Sequence, residues 1–178
     1  MRMQPQDERH DGRPGRGGTI PSKQITVLLA EDNKIVRKAF RNLLENEADL
    51  KVVGEAQNGR QAVKMTGSLR PAVVLMDIAM PLLDGLEATR QIREDFPDTK
   101  VLILSAHSDA AYVEKAIALG AVGFLLKQTS SHNVPGAIRE AQKGNSYFSP
   151  SIGKPSASTI ALGSGQIERA GSRRRATA

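Results

Sequence analysis

From Ile25 to about Gly144 the chain alternates short apolar runs with amphipathic stretches whose apolar residues recur at helical spacing. This pattern is typical of repeated strand and helix units, in which helices connect parallel strands. It predicts an α/β fold with a doubly wound, five-stranded parallel sheet and five helices. The predicted strands are 25–30, 51–56, 72–77, 100–105 and 123–126. The predicted helices are about 33–46, 58–68, 83–95, 109–119 and 131–143.

Two of the predicted strands end in acidic residues. Glu31 and Asp32 directly follow the first strand, and Asp77 closes the third. In a doubly wound sheet, strand ends of the same polarity lie side by side, so the three carboxylates are expected to converge on one crevice. Clustered carboxylates repel one another, which predicts that a bound cation or a nearby base offsets their charge.

The regions outside this pattern lack the apolar residues that a folded core needs. Residues 1–23 are rich in Gly, Arg, Pro and Gln, which predicts a disordered arm. After Pro150 the chain is dominated by Ser, Gly, Ala and Arg and shows no helical periodicity. We therefore expect one folded domain at 24–150, preceded by the arm at 1–23 and followed by a flexible basic tail at 151–178.

Composition and charge limit the classes of partner. The chain contains no cysteine, which excludes disulfides and thiolate metal sites and fits a cytoplasmic location. Its apolar runs are no longer than a strand, so neither a membrane span nor a signal peptide is predicted. The net charge of +6 arises outside residues 25–150, which carry fifteen basic and fifteen acidic residues. Nucleic-acid binding through this chain is therefore not expected.

Several short motifs at these strand ends resemble the signature blocks of response-regulator receiver domains. They are LAEDN at 29–33, LMDIAMPLLDG at 75–85, LSAH at 104–107 and GFLLK at 123–127. The segments PDTKV at 97–101 and GNSYFSP at 144–150 make the chain most similar to the NarL/FixJ class. The resemblance implies a flavodoxin-like sheet with strand order 2-1-3-4-5. It also implies a helix-turn-helix domain in full-length members, for which residues 151–178 offer no recognition helix.

The resemblance implies that Asp77 accepts a phosphoryl group from a histidine kinase or a phosphotransfer protein. Such a protein is a phospho-acceptor with self-catalysed phosphotransfer and dephosphorylation, and is not an enzyme in the usual sense. The family pattern places a Mg²⁺ ion on Glu31, Asp32, Asp77 and the backbone carbonyl of Ala79. Carboxylate and carbonyl oxygens are the ligands that Mg²⁺ prefers. Phosphoryl transfer needs an in-line nucleophile and compensation of oxygen charge, which such a site supplies.

The same resemblance assigns a switch to three further residues. Lys127 is expected to pair with Asp77 at rest and with a phosphoryl oxygen afterwards. Ser105 is expected to hydrogen-bond the phosphoryl group and draw its loop inward, while Phe124 turns into the space that the loop vacates. Together they are expected to alter the surface of helix four, strand five and helix five, through which a homodimer is one predicted assembly.

Three positions depart from the family pattern or vary within it. Gln128 follows Lys127 where many receivers carry a proline after a cis peptide bond, which before a non-proline residue costs about 3 kcal/mol. A trans or strained loop is therefore expected there. Ala79 and His107 flank the phosphoryl group in the family and influence its lifetime, which the sequence leaves open.

Taken singly, each site residue has a simpler explanation: Glu31 and Asp32 as a helix cap, Lys127 as a solvated lysine, Phe124 as core. Their joint occurrence at successive strand ends favours the receiver. Three alternatives remain open. One is a transcriptional regulator of the NarL/FixJ class with a lost or truncated DNA-binding domain, and another is a receiver that no longer takes phosphate. The third is an aspartyl-phosphate hydrolase, although Ala79 stands where such enzymes carry a second acid.

Overall fold

The predicted alternation of strands and helices is present in the structure, a computed structural model that describes residues 24–128 and 132–152. Within those residues the strands are β1 (Ile25–Ala30), β2 (Leu50–Ala56), β3 (Val73–Asp77), β4 (Lys100–Ser105), β5 (Gly123–Leu126) and β6 (Tyr147–Phe148). The helices are α1 (Lys34–Glu45), α2 (Gly59–Leu69), α3 (Gly85–Asp95), α4 (Ala110–Ala118) and α5 (Val134–Gln142). A short 3₁₀ turn, Pro150–Ile152, follows β6.

The strands form one parallel sheet in the order β2-β1-β3-β4-β5-β6. The predicted order 2-1-3-4-5 and the doubly wound fold class are therefore confirmed. One apolar layer packs α1 and α5 on the sheet, through Phe40, Leu44, Val134 and Ile138 among others. The opposite layer packs α2, α3 and α4, through Ala62, Ile92 and Ile117 among others. Because both faces are covered, central strands such as β3 are buried throughout and read as continuous apolar runs.

Polar caps fix where the first four helices begin. The side chains of Asn33, Asn58, Asp84 and Asp109 each accept a hydrogen bond from a backbone N–H in the first turn of the helix that follows. The predicted helices begin one or two residues too early, because they include these caps and, for α3, also Leu83. Asn33, and not Asp32, caps α1 by accepting from Ile35 at 2.9 Å. This arrangement leaves the side chain of Asp32 free of a capping role.

The two-residue strand β6 was not predicted. Tyr147 and Phe148 pair with Gly123 and Phe124 in parallel register. A run of two residues is too short to show the alternation by which strands are recognised. The approach is close: a Cβ atom on Gly123 would lie 2.3 Å from the carbonyl oxygen of Tyr147. Glycine at the start of β5 is therefore needed for the sixth strand to pair.

Some predictions fall outside the part of the chain that the structure describes. The arm at 1–23 and residues 153–178 of the tail lie there, as does the predicted start of the fifth helix at 131. Within 24–128 and 132–152, no helix is both long enough and apolar enough to span a bilayer. The same residues contain no cis peptide bond.

Candidate functional site

The acidic residues that follow β1 and end β3 lie together at the carboxyl edge of the sheet. β1 and β3 are neighbours, and Ala30 lies opposite Met76, one residue before each acidic position. Glu31, Asp32 and Asp77 each offer a carboxylate oxygen, and these three atoms lie within 4.8 Å of one another. Glu31 and Asp77 are both only 2 % exposed, whereas Asp32 is exposed to solvent. The crevice therefore has a buried floor and one ligand on its rim.

Lys127 reaches into this crevice from the end of β5. Its backbone N–H donates to the carbonyl of Ser105 at 2.8 Å, which continues the pairing of β5 with β4 beyond Leu126. Its ammonium Nζ lies 3.0 Å from Oδ1 of Asp77 and 2.8 Å from Oε2 of Glu31. The pairing with Asp77 was expected, and the pairing with Glu31 was not. Lys127 is thus shared between two buried carboxylates.

The ionisation of these groups follows from their burial and their mutual contacts. Burial raises the pKa of Glu31, as does the charge of Asp77, while the hydrogen bond from Lys127 opposes them only in part. Burial by itself lowers the pKa of Lys127, but the hydrogen bonds and charges of Glu31 and Asp77 outweigh it, so the pKa lies above its ordinary value. Lys127 is therefore charged at neutral pH, and one ammonium faces three acidic groups.

This donor set fits a divalent cation of the Mg²⁺ type. Apart from the ion pair with Lys127, the buried Oε2 atom of Glu31 has no hydrogen-bond partner among the described residues. Hard carboxylate oxygens suit Mg²⁺, and the exposed position of Asp32 leaves a solvent side for the waters that this ion retains. Glu31, Asp32 and Asp77 are the residues that would hold it. The contribution of the Ala79 carbonyl stays a prediction.

The other predicted switch residues lie on the next two strands. Ser105 ends β4 and is 4 % exposed. Its hydroxyl accepts from the backbone N–H of His107 at 3.0 Å and donates to the His107 carbonyl at 2.9 Å. The side chain of Phe124 is fully buried in the apolar layer that also contains Val113 and Ile117 of α4. In this structure Ser105 therefore closes its own loop, and Phe124 is part of the core.

A close approach beside Asp77 was missed by the sequence analysis. Asp84 caps α3 by accepting a hydrogen bond from the backbone N–H of Glu87 at 2.9 Å. A Cβ atom on Gly85, however, would lie 1.9 Å from the backbone carbonyl oxygen of Asp77. The first residue of α3 thus rests directly on the peptide group of the central aspartate. No sequence pattern shows which carbonyl a helix start will contact.

Fold and site together define a receiver domain of two-component signalling. Residues 27–139 match the family "Response regulator receiver domain", and the chain belongs to that family. The predicted family is therefore confirmed. The family assignment decides against the hydrolase alternative.

Among curated relatives, the transcriptional regulatory protein DegU of Brevibacillus brevis is 33% identical over 133 residues, covering 75% of this chain and 56% of the relative. The response regulator protein VraR of Staphylococcus aureus is 36% identical over 128 residues, covering 72% of this chain and 61% of the relative. The chain thus spans about three fifths of the length of these relatives.

Solved structures agree with this assignment. A two-component response regulator of the LuxR family from Aurantimonas sp. aligns with a TM-score of 0.70 at 32% identity, over 78% of this chain and 96% of that one. The receiver domain of the putative response regulator NarL from Mycobacterium tuberculosis aligns with a TM-score of 0.68 at 31% identity, over 70% of this chain and 100% of that one. The predicted similarity to the NarL/FixJ class is confirmed by these relatives.

Proposed function

We propose that this chain accepts a phosphoryl group on Asp77 from a histidine kinase or a phosphotransfer protein, in a Mg²⁺-dependent reaction. The observation that supports this most strongly is the position of Asp77. Its carboxylate is buried and lies 3.0 Å from the Lys127 ammonium. One of its oxygens lies within 4.8 Å of a carboxylate oxygen of Glu31 and of one of Asp32. A nucleophile beside two acids and one ammonium is the arrangement that phosphoryl transfer requires when a divalent cation completes it.

The chain's own residues have distinct roles in this proposal. A carboxylate oxygen of Asp77 forms a bond to phosphorus as the bond from phosphorus to the donor nitrogen breaks, and the donor keeps that electron pair. Glu31, Asp32 and Asp77 would hold the ion, with the carbonyl of Ala79 as a further ligand. When bound, Mg²⁺ offsets charge on the phosphoryl oxygens. Lys127 exchanges its contact with Asp77 for a phosphoryl oxygen, which a flexible lysine stem permits.

The Lys127→Ala variant tests the role of the ammonium. We expect it to bind Mg²⁺ at least as tightly as wild type, because a competing cation is removed from Glu31 and Asp77. Phosphorylation by acetyl phosphate should slow by about a hundredfold, since one charge-stabilising group is lost. Mg²⁺ affinity is measured by calorimetry and phosphorylation by intact mass. An unchanged phosphorylation rate would remove Lys127 from the mechanism.

For the output, we propose that phosphorylation changes a partner-binding face formed by α4, β5 and α5. The Ser105 hydroxyl would exchange its two contacts with His107 for a phosphoryl oxygen, which frees the start of the β4–α4 loop to move inward. Phe124, already buried, would repack with that loop. Phosphorylation shifts such an equilibrium only by the difference of its contacts in the two states. The changed face would associate with a target protein or with a second copy of the chain.

The Ser105→Ala variant separates phosphate uptake from this response. It removes the hydroxyl but leaves Asp77, Lys127 and the acidic ligands in place, so we expect phosphorylation to proceed within about tenfold of the wild-type rate. In wild type, beryllofluoride and Mg²⁺ should shift the backbone amide NMR signals of α4 and β5. In Ser105→Ala these shifts should be largely lost. A full wild-type response in this variant would contradict the assigned role of Ser105.

Phosphorylation itself is tested by incubating the protein with acetyl phosphate and Mg²⁺ and recording its intact mass. We expect the mass of one phosphoryl group to be gained, and the gain to be abolished by a chelator in excess over the metal. Size-exclusion chromatography of the same samples tests homodimer formation. No added mass under any metal condition would overturn the phospho-acceptor proposal and favour a receiver that no longer takes phosphate.

A second proposal concerns the longer proteins in which such a domain occurs. One relative is named a transcriptional regulatory protein, and the chain spans only 56% of it. The receiver could therefore serve a regulator whose DNA-binding part is separate from residues 24–150. Direct binding of this chain to duplex DNA at low salt, weakening as salt is added, would show that the chain itself contributes. We expect residues 25–150 to contribute nothing to such binding, because they carry no net charge.

A further inference from the structure

A buried arginine on α1 contacts the backbone of two of the acidic residues. Arg37 is 7 % exposed. One of its terminal nitrogens, Nη1, donates to the backbone carbonyl of Glu31 at 2.7 Å and to that of Asp32 at 3.3 Å. Its Nε donates to the carboxylate of Glu55 on β2 at 2.9 Å. The guanidinium therefore joins the backbone of both acidic residues to a neighbouring strand.

Glu55 is itself held in place by its strand and by a second arginine. It pairs with Leu29 of β1, and Leu29 is two residues before Glu31. Arg41, one helical turn after Arg37, binds the other carboxylate oxygen of Glu55. The contacts with Arg41 and Arg37 hold the pKa of Glu55 below its usual range, so the carboxylate is charged at neutral pH. The charged Glu55 carboxylate, which Arg41 also holds, thus acts as an anchor that fixes the direction of the Arg37 side chain.

Arg41 provides an internal comparison on the same helix. It shares the charge of Arg37 and the same partner, Glu55, but its other contact is the exposed Glu45 at 2.8 Å, and its side chain is 44% exposed. Of the two arginines, Arg37 alone donates to the loop that carries Glu31 and Asp32. A comparison of the two arginines therefore separates the contacts of Arg37 with this loop from the contact with Glu55 that both side chains make.

We propose that Arg37 is a positioning residue for the metal site. By tying down the carbonyls of Glu31 and Asp32, it holds the two ligand side chains in place before the cation arrives. Groups that lie behind metal ligands typically change metal affinity by 10- to 100-fold when removed, because loosened ligands must be ordered on binding. This inference rests on the metal site of the proposed function.

The positioning role and simple electrostatics predict opposite changes in Mg²⁺ affinity when Arg37 is removed. If Arg37 acted only as a positive charge, removing it would strengthen the binding of Mg²⁺, since like charges repel. If it acts by positioning, removing it weakens binding despite the lost repulsion. Lysine keeps the charge but lacks the planar fork that reaches Glu55 and the two carbonyls at once, so it should not substitute.

The test compares the binding of Mg²⁺ to the full chain and to Arg37→Gln, Arg37→Lys and Arg41→Gln, by calorimetry. We expect both Arg37 variants to bind about tenfold more weakly, while Arg41→Gln binds as tightly as wild type or slightly more tightly. Hydrogen exchange at the backbone amides of residues 31–36, measured in chelator, should be faster in the Arg37 variants alone. Urea unfolding in chelator identifies any variant that is not folded.

The outcomes separate this inference from the proposed function. If wild type binds Mg²⁺ and Arg37→Lys binds it with undiminished affinity, the positioning role alone is overturned. Tighter binding by Arg37→Gln has the same consequence. Equal losses in Arg41→Gln also overturn it. A wild-type protein that binds no Mg²⁺ overturns the metal site itself. If the Arg37 variants do not fold, Glu55→Gln releases the anchor more gently, and unchanged exchange at residues 31–36 in that variant refutes the inference.

Discussion

The Asp77→Asn variant is expected to gain no phosphoryl group from acetyl phosphate under conditions in which wild type is phosphorylated. The amide nitrogen and oxygen are poor nucleophiles, and a neutral side chain weakens the attraction of the crevice for Mg²⁺. The variant should still fold, because Lys127 keeps its 2.8 Å contact with Glu31. Intact mass measures the modification, and circular dichroism confirms the fold.

A matched control comes from the loop that follows Asp77. Asp84→Asn makes the same chemical change seven positions further on, at the exposed cap of α3. Asparagine caps helices about as well as aspartate, so this variant should retain both its stability and its phosphorylation. Phosphorylation of Asp77→Asn to the wild-type extent would place the acceptor elsewhere and contradict the proposal.

The Gly85→Ala substitution is expected to have the largest effect on stability. Its Cβ atom would lie 1.9 Å from the carbonyl oxygen of Asp77 and 2.8 Å from the carbonyl carbon. Both are backbone atoms of a strand buried on both faces, so α3 must move away instead. Overpacking of this kind costs on the order of 3 kcal/mol of unfolding free energy. Because the shift acts on the peptide of Asp77, phosphorylation per folded molecule should also fall.

Gly136→Ala is the matched control for this change. Gly136 lies in the first turn of α5, and a Cβ atom there would have no atom within 4 Å other than those of its chain neighbours and the nearby backbone of its own helix. Alanine should stabilise the protein by up to about 1 kcal/mol, because glycine is the poorer helix former. Urea unfolding followed by circular dichroism measures both variants. If Gly85→Ala were as stable as Gly136→Ala, the close packing of α3 on Asp77 would be wrong.

Much of this fold follows from the sequence because its strongest signals are local. The apolar run 72–77 ends in an acid, and a parallel sheet has little freedom in where it places such strand ends. The resemblance to receiver domains then supplied the order of the strands. The sequence offers both Asp32 and Asn33 as the cap of α1, and the choice between them depends on backbone geometry that the sequence does not show.

The relations that were missed are contacts between distant segments. Lys127 was expected to pair with Asp77 alone, because Glu31 was considered only as a metal ligand. Arg37 was not singled out, since one arginine on an amphipathic helix has no sequence feature that distinguishes it from a solvated neighbour such as Arg41. Its role depends on the register that puts Glu55 beside β1, and register over a separation of 18 residues is a property of the folded sheet.

The most direct test of the central claim identifies the modified residue. Wild-type protein is phosphorylated with acetyl phosphate and Mg²⁺, reduced with borohydride, which converts an aspartyl phosphate to homoserine, and then digested for peptide mass spectrometry. We predict homoserine at position 77 and unmodified Glu31 and Asp32 in the same sample. Homoserine at another acidic position, or no reduction product in protein that has gained phosphate, would contradict the assignment of Asp77 as the acceptor.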